Sequence, residues 1–187
     1  MIMFLQNAIR CSASFMYGCL GETITEKSGH LNLGIPGIMC GGAAGGCLGV
    51  SLYMNSLANP QAPSYIMVIL MGVIFAFAFA ALLGGIYGLL TITLKCNHNI
   101  TGLALTTFGV GFTDIIMSSI DKTHFSIASS YTAKPLPFAE DLGWFGELFL
   151  SYGVLVYLAI ALAVITGILL KKSKTGLRLR AVGENPA

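Results

Sequence analysis

Charge is what this sequence has least of. Ten Lys and Arg with eight Asp and Glu make up 10% of its 187 residues, against roughly 25% in an ordinary soluble domain. So small a stock of charge cannot cover the surface of a soluble fold of this size, and that class is excluded. The net charge of +2 is too small to be the electrostatic footprint of a nucleic-acid binder. Closely spaced cysteines are missing as well. Cys11, Cys19, Cys40, Cys47 and Cys96 form no zinc-binding pair, and four of them lie in or beside apolar runs, where a thiol behaves as a small hydrophobe. No nucleophile stands beside a base and no phosphate-binding loop follows a strand. His30, His98 and His124 fall in separate loops and supply no shared metal site. Catalysis, a resident metal and an organic cofactor are therefore left without residues to rest on. A signal peptide is also unsupported, because no basic residue precedes the first apolar run and Arg10 interrupts it.

What the chain does have is long apolar stretches. Hydrophobic residues make up 55% of it and the mean hydropathy is +0.79, the composition of an integral membrane protein. About five segments approach the length of roughly 20 residues that a helix needs to cross a bilayer. They run from Ile2 to Leu20, Ile35 to Met54, Tyr65 to Leu94, Ile100 to Ile120 and Leu148 to Leu170. The first is the weakest, carrying Gln6, Asn7 and Arg10. None shows the alternation of a barrel strand, so the expected fold is all-α, a polytopic transmembrane helical bundle. Residues 1–170 would form the membrane region and residues 171–187 a cytoplasmic segment.

Glycine organises the second segment. Gly37, Gly41, Gly45 and Gly49 recur every four residues, with Gly42 and Gly46 beside them. Spacing of four sets them in one row along a helix, where another backbone can approach closely. Each such glycine would weaken a soluble helix by about 1 kcal/mol relative to alanine. In a bilayer the backbone has no water to turn to, so the helix persists and the row becomes a packing surface.

Orientation follows from the basic residues. With the first segment running outside to inside, the inner loops hold Lys27, Lys95, Lys171, Lys172, Lys174, Arg178 and Arg180, and the outer loops only Lys122 and Lys134. That distribution obeys the positive-inside tendency, placing the N-terminus outside and the C-terminal tail in the cytoplasm. The one long loop, Asp121 to Glu147, carries Tyr131, Pro135, Pro137, Phe138 and Trp144. It reads equally as an ordered outer cap or as an interfacial aromatic belt.

A few polar residues inside the apolar runs are candidates for function. Asp114 is the one carboxylate well inside an expected span, and Thr107, Gly111, Asp114 and Ser118 share one stripe of the fourth segment. An intramembrane carboxylate is costly, so it lines a water-filled path, is buried with a partner or protonated, or lies near enough to the outer surface to be wetted. Arg10 would snorkel toward headgroups or pair with a neighbour. Asn32, Asn97 and Asn99 lie at inner ends of segments, where they either cap helices or mark breaks beside a binding site. Pro36 fits a break or a first-turn position.

Two stretches together carry a family resemblance. GETITEKSGHLNLGIPGIM resembles the N-terminal signature of permease subunits of bacterial ABC importers for nucleosides and simple sugars, and TGLRLRAVGENPA resembles their coupling segment. HNITGLALTTFGVGFT, between them, is similar to the family's polar inner turn and Gly-rich helix. One departure is Pro36, where many members carry an acidic residue. The resemblance implies a non-enzymatic permease of the cytoplasmic membrane, with about twice as many spans as this chain. It also implies a second permease subunit, an ABC ATPase subunit and an extracellular substrate-binding protein as partners, with no nucleic acid. Carried over by the resemblance, coupling to the ATPase would fall on Thr175, Gly176, Leu177, Arg178, Arg180, Gly183, Glu184, Asn185 and Pro186. The candidates for the substrate pathway remain those read from the residues themselves, Asn32, Thr107, Gly111, Asp114 and Ser118. A self-contained channel, an ion-coupled secondary transporter and an inactive truncated fragment are the alternatives. The first two would rest on Asp114 alone.

The sequence stops where Asn185 and Pro186 would open a further helix, with Asn as cap and Pro in the first turn. We expect the reading frame to continue past the codon for Ala187 into an amphipathic helix and further apolar spans. Sequencing several hundred bases beyond that codon checks this, and an immediate stop would contradict it.

Overall fold

The computed structural model describes residues 2–57, 59, 62–121, 123, 125–132, 146 and 148–184. It is 85% helical, with no strand among the described residues. The helices are α1 (Ile2–Lys27), α2 (Ile35–Ser56), α3 (Tyr65–Gly88), α4 (His98–Ser119), α5 (Phe125–Thr132), α6 (Val154–Lys172) and α7 (Lys174–Glu184). A π-helical turn, Leu89–Thr93, extends α3. Among the described residues four helices are long and apolar enough to cross a membrane: α2, α3 with its π turn, α4 and α6. α1 is long enough but more polar, because it runs past the expected end at Leu20 and takes in Glu22, Glu26 and Lys27. The chain forms two compact units, Leu31–Tyr131 and Met1–His30 with Thr132–Ala187.

The unit of residues 31–131 is built on the glycine row. Phe75, Phe79 and Leu83, themselves four apart on α3, each face one glycine of α2: Gly49, Gly45 and Gly41 respectively. The order reverses between the two helices, so α2 and α3 are antiparallel. A methyl group on Gly45 would lie 2.6 Å from Phe79 Cγ, and one on Gly49 equally close to Phe75 Cγ. Gly42 and Gly46 form a second row against Ala80, Ala76 and the Gly72 carbonyl. The missing side chains thus make slots that aromatic rings fill, giving α2 and α3 dispersion contact along their length without a hydrophobic driving force.

α4 packs on α2 as well, and here backbone meets backbone. Gly37 lies on Leu105 and Thr106, and Gly109 lies on Gly37; a methyl on Gly109 would come 2.7 Å from Gly37 Cα. Further along, Ala44 of α2 clusters with Ile116 and Ile120, so the two helices run parallel. Phe112 joins that cluster and stacks on Phe79, with ring centroids 5.9 Å apart. The packed face of α4 is therefore Gly102, Leu105, Gly109, Phe112 and Ile116, a spacing of three and four.

In the other unit α1 and α6 are parallel. The Arg10 guanidinium donates to the Ser151 carbonyl at 3.2 Å and the Tyr17 hydroxyl to the Leu155 carbonyl at 2.6 Å. Arg10 thus has a backbone acceptor just before α6. Pro135, Pro137, Phe138 and Trp144 of the long loop lie outside the described residues.

Because Gly109 meets backbone and Gly111 meets nothing within 4 Å, the two should respond differently to one methyl group. Gly109→Ala is expected to lower stability by about 1–3 kcal/mol through overpacking, and Gly111→Ala to change it by less than about 0.5 kcal/mol. Reversible unfolding of the detergent-solubilised protein measures both.

Candidate functional site

Between α1 and α2 residues 28–34 are not helical, and the polar backbone of Leu31–Gly34 must find partners. It finds them in side chains. The Tyr87 hydroxyl donates to the Leu31 carbonyl at 3.3 Å, and the Thr106 hydroxyl to the Leu33 carbonyl at 2.7 Å. The Asn32 carboxamide oxygen accepts from the Gly34 N–H at 2.9 Å, an Asx-type turn. Asn32 is only 5% exposed. Gly102 lies against Leu33 and Gly34, with room for no side chain. Pro36 then occupies the first turn of α2, where its missing N–H has no cost. Asn97 differs from Asn32: its side chain accepts from the Asn99 and Ile100 N–H groups and caps α4.

Thr107, Gly111, Asp114 and Ser118 all lie exposed on the face of α4 away from α2. Exposed Phe108, Val110 and Ile115 flank them. The Thr107 hydroxyl donates to the Leu103 carbonyl at 3.1 Å and the Ser118 hydroxyl to the Ile115 carbonyl at 2.8 Å. With their protons turned into the helix, both hydroxyls present lone pairs outward. The structure does not bring Asn32 into this row, since its oxygen is committed within a buried turn.

Between the end of α3 with its π turn and the start of α4, a groove of about 580 Å³ is lined mostly by apolar side chains, Ile86, Leu90, Ile100, Ala104, Leu105 and Phe108, together with Cys96, Asn97 and Thr101. A site for a polar solute needs several convergent polar groups, so this apolar groove is not one.

The residues after α6 form α7, packed by one side. Gly176 is buried against Leu169 and Leu170, and Arg180 donates to the Leu170 carbonyl. The Ser173 hydroxyl donates to the Leu169 carbonyl at 2.6 Å and accepts from the Gly176 N–H at 3.0 Å. Thr175, Leu177, Arg178, Val182 and Glu184 are exposed, Leu177 to 69% and Val182 to 55%. Gly183 is half-buried. Asn185 and Pro186 lie outside the described residues.

Tyr87, Gly102, Thr106 and Gly109 were not singled out by the sequence. Gly102, Leu105, Gly109 and Ile116 do carry a helical spacing that could have disclosed the packed face of α4. Tyr87 and Thr106 carry no such signal, because their partners are carbonyls 56 and 73 residues away.

The fold and these surfaces define a membrane-integral helical protein with one polar stripe and an amphipathic tail. Residues 4–187 match the family described as branched-chain amino acid transport system / permease component, and the chain belongs to that family. It is 30% identical over 94% of its length to a guanosine ABC transporter permease protein of Bacillus subtilis, covering 54% of that protein. It is 29% identical over 97% of its length to a putative glucose ABC transporter permease protein of Haloferax volcanii, covering 52%. A nucleoside ABC transporter permease protein of Lactococcus lactis is 23% identical over 98% of the chain, which covers 56% of it. The chain thus spans about half the length of the curated relatives it matches. No solved structure matches it.

Thr106 holds the broken segment, whereas Thr107 bonds only its own helix. Thr106→Val is therefore expected to destabilise by about 0.5–1.5 kcal/mol, leaving the Leu33 carbonyl without its donor. Thr107→Val is expected to change stability by less than about 0.5 kcal/mol. Denaturant unfolding in detergent distinguishes them.

Proposed function

We propose that this chain is the N-terminal part of an ABC importer permease that forms the translocation path for a nucleoside or simple sugar and hydrolyses nothing itself. The observation that carries this reading is α7. It lies outside the apolar spans, holds to its unit through Gly176 and Arg180, and turns Leu177, Arg178 and Val182 outward. An apolar, basic face on a helix so held suits docking to a separate ATPase subunit, and residues 171–187 are the coupling segment in this account. Contact with anionic lipid is the blander use of the same arginines. Family membership and relatives named as ABC transporter permeases support the assignment.

The stripe on α4 supplies the path. Thr107, Asp114 and Ser118 present acceptors to whatever passes, and Gly111 leaves room between them. A ribose or hexose is rich in hydroxyl donors, so a row of acceptors suits it. Asn32 contributes to the path by fixing the break before α2. A second permease subunit and an extracellular binding protein complete the assembly, which sits in the bacterial cytoplasmic membrane. The N-terminus is outside and α7 cytoplasmic, with α1 and α6 descending in parallel.

The test is uptake by the full-length permease, co-expressed with its ATPase subunit and reconstituted into liposomes. Uptake of guanosine or glucose is expected to require ATP. Leu177→Asp is expected to reduce co-purification of the ATPase and to lower uptake roughly tenfold or more, a loss of about 1.4 kcal/mol or greater. Uptake that proceeds without ATP and follows a proton or sodium gradient would overturn the importer reading.

A further inference from the structure

α1 ends on a left-handed glycine. Gly29 has φ +86°. Its N–H donates to the Glu26 carbonyl at 3.0 Å, and the His30 N–H reaches back to the Thr25 carbonyl at 3.2 Å. Those are the two bonds of a Schellman cap, so α1 finishes in a defined turn. Gly183, near the end of α7, lies directly on that turn. A methyl on Gly29 would sit 3.2 Å from Gly183 Cα, and one on Gly183 would strike the Lys27 carbonyl and lie 3.1 Å from the Gly29 nitrogen. At the start of α7, Gly176 meets the Leu169 and Leu170 backbone in the same manner. α7 therefore holds two helices by main-chain contact: α6, from which it continues, and α1, which lies far away in sequence. Main-chain contacts contain no rotamer that can absorb a displacement, and packed interfaces pass such shifts on as rigid-body motion.

We propose that Gly29 and Gly183 are positioning residues that make α1 a second output of α7. When α7 is displaced, the ends of α1 and α6 move together, as a parallel pair already joined at Arg10–Ser151 and Tyr17–Leu155. Gly183 then acts through α1 and does not touch the ATPase. This rests on the importer reading, in which α7 is what the ATPase moves.

Gly29→Asn separates the contact from the turn, because Asn tolerates the left-handed conformation while its side chain wedges against Gly183. In the reconstituted full-length complex, Gly29→Asn is expected to leave ATPase co-purification and ATP hydrolysis within about twofold of wild type. Uptake should fall about tenfold. Unchanged uptake would overturn the proposal, and so would a parallel loss of hydrolysis and uptake, which would make Gly29 merely structural. A second measurement needs no ATPase: amide hydrogen exchange of the full-length permease in nanodiscs. Gly29→Asn is expected to speed exchange of residues 181–184 about tenfold while residues 174–177, held by Gly176 and Ser173, keep their rate. Equal exchange in both forms would show that α1 does not hold α7. A wild-type permease that binds no ATPase would refute the importer reading, and the exchange experiment would still decide whether the contact exists.

Discussion

Close approach of main chain to main chain is the constraint on which the rest depends. In a bilayer, burying apolar surface between helices brings little, since lipid tails are as apolar as leucine. Helices must instead gain dispersion contact by coming near, and only glycine lets them come near enough. Gly37 on Gly109, Gly102 on Leu33 and Gly34, and the aromatic rings in the slots of Gly45 and Gly49 are one device used repeatedly. Remove the closeness and α2 loses both neighbours.

That closeness determines which surfaces are free. Because α4 spends the face of Gly102, Leu105 and Gly109 on α2, the face bearing Thr107, Gly111, Asp114 and Ser118 is left open. Because Gly102 admits the Leu31–Gly34 segment against α4, Thr106 and Tyr87 can reach its carbonyls and hold it out of helical form. Irregular backbone packed against helices needs protein groups to satisfy it, and the Tyr87 and Thr106 hydroxyls do so here. The same device recurs where α7 rests on the ends of α1 and α6.

Much of this was legible in the residues. The glycine spacing of four, the four most apolar spans and the basic tail are local patterns, and helix ends fell within a few residues of expectation for α2 and α4. The end of α1 was missed. Gly21–Lys27 reads as a polar loop by hydropathy, yet Glu and Lys are good helix formers, and Thr23 and Thr25 satisfy their hydroxyls on carbonyls of the preceding turn. The true stop is Gly29, identifiable only as a glycine among several. The π turn at Leu89–Thr93 has no sequence mark, and neither does the burial of Asn32, which depends on α4 arriving from far along the chain. Whether a polar stripe on a helix faces solute, lipid or another helix is likewise decided by partners that periodicity does not name.

The central claim is that the open stripe of α4 faces the solute. The most direct measurement is the reaction of single cysteines at Thr107, Gly111, Asp114 and Ser118 with a membrane-impermeant maleimide. It uses the full-length permease, freed of its native thiols, in native membranes. All four are expected to react, roughly tenfold more slowly under saturating substrate, whereas a cysteine at the flanking Ile115 stays inert. Stripe positions as inert as Ile115, or reaction rates that substrate leaves unchanged, would contradict the account.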